Sequence, residues 1–194
     1  MSDHNDEEPE RRLSKRDLLR LGAERARGAS AVVAEMALEH VADRFAPRVA
    51  RPPGALTEFE FLIECTRCGE CKKACPVGAI VELGEAAGVA SRTPFIDPNR
   101  YKPCVACEDT PCITACPTDA LTPIDIRDAV MGYARVNRDT CLPWNGEACD
   151  KCVAACPFPE DAILADEDGR IYTDPRHCIG CGMCAAACPT KPKS

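Results

Sequence analysis

Apolar side chains recur at every fourth position in the segment 29–45 of this 194-residue chain. The positions are Ala29, Val33, Ala37, Val41 and Phe45. This spacing places them on one face of a helix, which Pro47 ends because proline cannot continue a helix. Residues 1–10 are polar and acidic, a composition typical of disorder. The pattern predicts an N-terminal extension over residues 1–50 that is first disordered and then an amphipathic helix.

Beyond residue 50, short apolar segments lie on either side of cysteine-rich loops. Those before a loop end in a turn rich in Asp, Asn or Pro, and they cover residues 95–99, 134–139 and 171–176. Those after a loop follow a Cys-Pro pair, where a helix must stop, and they cover residues 79–81, 120–121 and 162–164. Each repeat is therefore predicted as strand, loop, short helix and strand. The repeats cover residues 58–83, 95–122, 134–165 and 171–190, and the last lacks a closing strand.

Sixteen cysteines occupy the loops in four groups of four, and every group ends in Cys-Pro. The first cysteines of successive groups are 39, 37 and 37 residues apart, which is an internal repeat. The groups are Cys65, Cys68, Cys71 and Cys75; Cys104, Cys107, Cys112 and Cys116; Cys141, Cys149, Cys152 and Cys156; Cys178, Cys181, Cys184 and Cys188.

The first and fourth groups have the spacing of bacterial ferredoxins. In those proteins three thiolates hold one [4Fe–4S] cluster and the fourth belongs to the neighbouring cluster, so the groups work in pairs. The pattern predicts four [4Fe–4S] clusters bound through iron by all sixteen cysteines. The expected fold is α+β, with two fused 2[4Fe–4S] ferredoxin-like lobes in residues 51–194.

A disulfide framework and structural zinc are the alternatives for so many cysteines. Disulfide-rich domains are short secreted chains, and thiols two residues apart are poorly placed to cross-link distant strands. Structural zinc uses two separated ligand pairs, often with histidine. Here each group is a triplet plus one cysteine, and the histidines are His4, His40 and His177. The fourfold repetition favours clusters over both alternatives.

The clusters are expected to replace part of a hydrophobic core. Hydrophobic residues make up 45% of the chain, but this figure includes the sixteen cysteines, so the remaining apolar content is low. Because thiolate–metal bonds form only in the folded chain, cluster binding should contribute much of the folding free energy.

Charge and motifs limit the function further. Residues 52–194 carry 14 basic and 21 acidic side chains, a balance that repels nucleic acid. The chain contains no phosphate-binding loop and no Gly-x-Ser-x-Gly motif, and Gly180-x-Gly182 lacks the third glycine of a nucleotide fingerprint. With every cysteine assigned to a cluster, none remains as a nucleophile. We predict an electron carrier with redox protein partners, and not an enzyme.

The segment 14–20 resembles a twin-arginine export motif, with Lys15 in the first arginine position. Export requires an uncharged apolar stretch next, and charged residues interrupt it here: Glu24, Arg25, Arg27, Glu35 and Glu39. This favours a degenerate leader and a cytoplasmic protein; periplasmic location by twin-arginine export is the alternative. No run of residues in the sequence is long and apolar enough to span a membrane.

Residues 51–190 resemble the four-cluster ferredoxin-type accessory proteins of periplasmic nitrate reductase and methylamine utilisation systems, the NapG/MauM type, and more loosely the NapF type. The matching features are residues 51–56, 65–71, 104–112 and 131–134, and the seven-residue gap between Cys141 and Cys149. The resemblance implies single-electron transfer between a donor, such as a membrane quinol-oxidising protein, and an acceptor oxidoreductase. The NapF-type similarity implies an alternative, a maturation factor that binds a metalloenzyme during assembly.

A further similarity, to four-cluster subunits of the dimethyl sulfoxide reductase kind, implies nested pairing of the groups, first with fourth and second with third. The implied ligand sets are Cys65, Cys68, Cys71 and Cys188; Cys178, Cys181, Cys184 and Cys75; Cys104, Cys107, Cys112 and Cys156; Cys141, Cys149, Cys152 and Cys116. Spacing alone also allows sequential pairing, first with second and third with fourth, because both intervals suit a two-cluster ferredoxin.

Overall fold

The computed structural model of the chain describes residues 49–193. The predicted disordered segment 1–10, the export-like motif 14–20 and the helical face 29–45 lie outside the described residues. The described part contains short helices and two small sheets, so the fold is α+β as predicted. None of the helices in this part of the chain is long and apolar enough to cross a membrane.

Two antiparallel hairpins form from the apolar segments that flank the cysteine groups. The strands are β1 (Ile80–Glu82), β2 (Pro94–Ile96), β3 (Ile163–Ala165) and β4 (Ile171–Thr173). Strand β1 pairs with β2, with Ile80 opposite Ile96, and β3 pairs with β4, with Ile163 opposite Thr173. These three isoleucines are buried because alternate side chains of a strand face the same side. Each hairpin connects one cysteine group with the next.

Two other segments differ from the predicted strands. Segment 134–139 forms no strand. Its Ala134 N–H donates to Cys178 Sγ at 3.4 Å, and its Ala134 carbonyl accepts from the Thr173 hydroxyl at 2.8 Å. Segment 120–121 contributes a single bridge, between Leu121 and Ala55. Both segments bond to loops and side chains instead of a continuous partner strand, so neither builds a ladder.

The turns predicted before the cysteine groups are present. In each, an Asp or Asn side chain accepts a bond from the main-chain N–H two residues later. The bonds join Asn99 N to Asp97 Oδ1 (3.1 Å), Asp139 N to Asn137 Oδ1 (3.1 Å) and Arg176 N to Asp174 Oδ1 (2.9 Å). The carbonyl of Asn137 then accepts from Cys141 N, and that of Asp174 from Cys178 N. These turns place the first cysteine of the third and fourth groups at the start of its loop.

Short helices carry the third cysteine of every group. The helices are α1 (Glu58–Glu64), α2 (Glu70–Ala74), α3 (Pro111–Thr114), α4 (Lys151–Ala155), α5 (Pro159–Ala162) and α6 (Met183–Ala187). Three 3₁₀ segments cover Glu85–Ala90, Ile126–Asp128 and Pro143–Asn145. Helix α2 packs against α3, and α4 packs against α6. The first two groups therefore share a first lobe (residues 49–125), and the last two share a second lobe (residues 132–193).

A buried arginine fastens the start of the first lobe to its hairpin and to α1. The Arg51 guanidinium pairs with Glu58 and donates to the Thr93 hydroxyl and the Pro94 carbonyl, both at 2.8 Å. It also lies 4.7 Å from the ring centroid of Phe61, which is fully buried. These contacts join three elements that are distant along the sequence.

Candidate metal centres

The loops that carry the cysteines turn through left-handed backbone conformations. The residue before the second cysteine has a positive φ at Arg67 (58°), Ala106 (52°) and Gly180 (76°). The residue that caps the next helix is also left-handed at Gly69 (φ 76°) and Gly182 (φ 79°). Left-handed residues next to helical ones point successive N–H groups into the same concavity. The loops therefore turn amide donors toward their own cysteines.

In the first lobe the eight cysteines line two separate cavities of about 20 Å³ each. We call the first set centre I, formed by Cys65, Cys68, Cys71 and Cys116. We call the second set centre II, formed by Cys75, Cys104, Cys107 and Cys112. The sulfurs within each set interact electrostatically, as Cys116 does with Cys65 and Cys75 does with Cys104. In both centres, three cysteines come from one group and the last comes from the adjacent group.

In the second lobe the eight cysteines line one cavity of about 400 Å³. The fourth cysteine of the third group, Cys156, interacts with Cys178, Cys181 and Cys184 of the fourth group. We call this set centre IV. We assign the remaining four, Cys141, Cys149, Cys152 and Cys188, to centre III. Cys152 interacts with both Cys141 and Cys149, and Cys188 is assigned to them because it lines the same cavity and the other three cysteines of its group belong to centre IV.

This arrangement corrects the nested pairing. The sets implied by the resemblance placed Cys188 with Cys65 and Cys75 with Cys178. The structure instead completes centre I with Cys116 and centre II with Cys75. The physical reason is that a short hairpin joins the first group directly to the second, so α2 and α3 pack together and bring adjacent groups face to face. The nested sets are wrong, and the sequential alternative describes the geometry.

Burial keeps several of these thiols protonated when no metal is bound. Burial, with a smaller contribution from neighbouring sulfurs, raises the pKa of Cys71 and Cys181 to about 12 and that of Cys112 and Cys184 to about 11. Four thiolates can therefore share one of these cages only if a cation offsets their charge. Metal binding at these centres must displace protons.

Main-chain amides bond to several sulfurs and would stabilise thiolate ligands. The Ala79 N–H donates to Cys75 Sγ at 3.2 Å. The amide of Arg67 lowers the pKa of Cys65, although burial has the larger, opposite effect. Hydrogen bonds to the sulfurs are one of the protein's means of setting the potential of an iron–sulfur cluster. The donor sets thus fit that group in ligand type, number and hydrogen bonding.

Two hydroxyl groups beside cysteine sulfurs were missed by the sequence reasoning. Thr118 Oγ1 lies 3.7 Å from Cys116 Sγ in centre I, and Thr190 Oγ1 lies 3.2 Å from Cys188 Sγ in centre III. The sequence did contain a signal for these hydroxyl groups, because the second and fourth cysteine groups end in Cys-Pro-Thr and the other two do not.

The thiols in the described part of the chain are not spaced as ligands of a single metal ion. The sixteen cysteines, all of which lie within the described residues, form no disulfides there. Within residues 49–193, no three His, Cys, Asp or Glu side chains lie close enough together to hold one metal ion. A cubane separates its thiolates by the iron and sulfide between them, so it needs a wider cage than a zinc ion.

The sequence also matches a known domain family in two stretches. The 4Fe-4S dicluster domain matches residues 64–120 and 147–191. The first stretch contains all eight cysteines of centres I and II, and the second contains seven of the eight cysteines of the second lobe. The fold and the site therefore define a ferredoxin-type iron–sulfur protein with two ferredoxin-like lobes.

Curated relatives specify the family. MauM, a methylamine utilization ferredoxin-type protein of Paracoccus denitrificans, is 43% identical over 78% of this chain and 72% of its own length. MauM of Methylobacillus flagellatus is 40% identical over 94% of this chain and 80% of its own length. The ferredoxin-type protein NapG of Escherichia coli is 35% identical over 92% of this chain and 80% of its own length. The chain belongs to the MauM/NapG family of ferredoxin-type proteins, with a role in iron–sulfur electron transfer.

Proposed function

We propose that the chain carries single electrons through four [4Fe–4S] clusters, one at each of centres I to IV, from a donor protein to an acceptor oxidoreductase. The observation that carries the proposal is the convergence of sixteen thiols on three cavities. In the first lobe two cavities each hold three cysteines of one group and one of the next, and in the second lobe all eight cysteines line one cavity. A [4Fe–4S] cluster held by thiolates supplies a one-electron couple. The proposal assigns every cysteine as a ligand and gives the chain no catalytic residue.

The residues of the chain would hold the clusters and set their environment. Buried sulfurs such as Cys71 and Cys181 exclude water from one side of each centre. Amide donors, such as the Ala79 N–H at Cys75, would favour the reduced state by offsetting its negative charge. Cys68 of centre I is exposed, so a partner could approach that centre closely.

The proposed partners are redox proteins, a quinol-oxidising membrane donor and an acceptor oxidoreductase. MauM relatives are named for methylamine utilization. The proposed acceptor therefore belongs to a methylamine utilization system or to a periplasmic nitrate reductase system, the two systems that the resemblance to the NapG/MauM type implies. The acidic balance of residues 52–194 suits a partner with a basic docking surface.

We also propose a cytoplasmic location, since charged residues interrupt the stretch after the motif at 14–20. Cell fractionation tests this separately from the electron-transfer proposal. Recovery of a shortened chain from the periplasm, cleaved after the motif, would show that the leader works.

A reductive titration of anaerobically purified protein tests the proposed function. The expected result is reversible uptake of about four electrons per chain, one per cluster. EPR spectra recorded during the titration measure the reduction of the clusters. Reoxidation by an acceptor oxidoreductase should return the spectrum to its starting state. A chain that binds an immature metalloenzyme but accepts no electrons would instead support the maturation alternative.

A further inference from the structure

The two lobes meet at a main-chain hydrogen bond between two cysteines of different centres. The Cys104 N–H donates to the Cys181 carbonyl at 3.0 Å. Cys104 belongs to centre II of the first lobe, and Cys181 belongs to centre IV of the second. The two thiols also interact electrostatically. Centres II and IV therefore face each other where the lobes touch.

Glycines on both sides of Cys181 allow close packing around it, and Gly182 does so against the first lobe. A Cβ atom on Gly182 would lie 2.2 Å from Cβ and Cγ of Pro98 in the first lobe. A Cβ on Gly180 would lie 2.6 Å from the main-chain nitrogen of Gly132. Real side chains essentially never approach so closely. Glycine at position 182 therefore lets the Cys181 loop pack against the Pro98 ring, and glycine at position 180 lets it pack against the main chain of Gly132.

The segment that connects the lobes joins the same two centres. Ile126 lines the cavity of centre II. The guanidinium of the next residue, Arg127, lies 4.5 Å from the ring centroid of Phe158, whose N–H bonds to Cys156 of centre IV. A second, independent set of contacts thus places centre IV beside centre II.

Within each lobe the neighbouring centres follow from the packing of α2 against α3 and of α4 against α6, together with electrostatic interactions between their cysteines. In the first lobe Cys71 of centre I interacts with Cys112 of centre II. In the second lobe Cys184 of centre IV interacts with Cys152 of centre III. Centre I therefore neighbours centre II in the first lobe, and centre III neighbours centre IV in the second.

We propose that the four centres form a single file in the order I, II, IV, III, and that the Cys104–Cys181 peptide contact is the electron junction between the lobes. The inference rests on the proposed function and adds the order in which an electron passes through the four centres. An electron that crosses the junction oxidises the centre it leaves and reduces the centre it enters, and no covalent bond changes. The donor and acceptor proteins supply and remove that electron at centres I and III.

The variant Gly182→Ala tests the junction, with Gly169→Ala as a matched control. Both glycines are left-handed, with φ of +79° and +76°, but a Cβ on Gly169 would meet no atom within 4 Å. The two variants therefore share backbone strain and differ in the clash with Pro98. Adding Pro98→Gly to Gly182→Ala removes the clash and should restore the native behaviour.

The readout is the spin–spin interaction between reduced clusters, measured by EPR at two microwave frequencies on fully reduced protein. Splittings that arise from this interaction do not scale with the field. The native chain and Gly169→Ala should show coupling across the junction as well as within each lobe. Gly182→Ala should lose the coupling between centres II and IV and leave two independent pairs, and the double variant should regain it.

Iron content separates failure of this inference from failure of the proposed function. A native chain that holds four reducible clusters but shows only two uncoupled pairs overturns the single file, and this result does not depend on whether any variant folds. Gly182→Ala with full iron content and unchanged coupling overturns the role of the contact. A native chain without reducible clusters would refute the proposed function itself.

Discussion

Removing the buried Arg51 guanidinium should destabilise the first lobe far more than removing an exposed arginine. Arg51 pairs with Glu58, with exposed side-chain fractions of 8% and 17%. It also donates to the Thr93 hydroxyl and the Pro94 carbonyl. The variant Arg51→Met keeps an apolar stem of similar length over Phe61 and leaves the Glu58 carboxylate without its cation.

The structure sets the magnitude of this effect. Breaking a buried ion pair by removing one partner costs about 3–5 kcal/mol. The lower end of this range of free energies applies here because the Glu58 side chain keeps some contact with water. In a chain of this size, each 1 kcal/mol lowers the Tm by about 2–4 °C, so Arg51→Met should lower it by about 6–12 °C.

The assay is thermal melting of cluster-loaded protein under anaerobic conditions. Circular dichroism monitors the melting at one fixed scan rate. The control is Arg100→Met, because the Arg100 side chain is 81% exposed and lies 3.8 Å from Asp97. Exposed pairs contribute little, so the control should melt close to the native protein. The double variant Arg51→Met with Glu58→Leu should recover part of the loss, since no buried charge remains unpaired. If Arg51→Met has the same Tm as the control Arg100→Met, the reasoning is refuted.

Three other predictions concern packing, metal removal and pH. Gly54→Ala should lower the Tm more than Gly78→Ala: both glycines have positive φ, but a Cβ on Gly54 would lie 2.3 Å from the Thr122 carbonyl oxygen, whereas Gly78 has open space. Equal melting of the two variants would contradict the close packing of this segment. Iron removal by a chelator and a reductant should abolish the native circular dichroism, and retention of that signal would show that the clusters are not needed for folding. Cluster assembly on the metal-free chain should become faster between about pH 6.5 and 8.5, because metal binding must displace protons from the cysteine thiols. Visible absorbance measures the assembly rate. A rate that does not depend on pH would argue against protonated ligands.

Local signals predicted much of the structure around the cysteines. Proline after the last cysteine of each group stops a helix, and strands β1 and β3 begin within a few residues, as expected. The Asx turns at Asp97, Asn137 and Asp174 involve residues close in sequence, so the side chains alone indicate them. Segment 134–139 failed as a strand because a strand also needs a partner, and its Ala134 bonds to Cys178 and Thr173 instead.

The assignment of cysteines to centres could not be read from spacing. Intervals of 39 and 37 residues suit either pairing of the groups, and the choice depends on which helices pack together. The junction between the lobes was even less visible, because it depends on Gly182 meeting Pro98, two residues far apart in sequence. A Gly-x-Gly pattern inside a cysteine loop shows a tight backbone but not what lies against it.

The most direct test of the central claim is the iron and acid-labile sulfide content of anaerobically purified chain. Sixteen thiols arranged as centres I to IV predict about sixteen irons and sixteen sulfides per chain, in protein with the brown colour of iron–sulfur clusters. Colourless protein, or a chain with markedly fewer irons, would contradict the account.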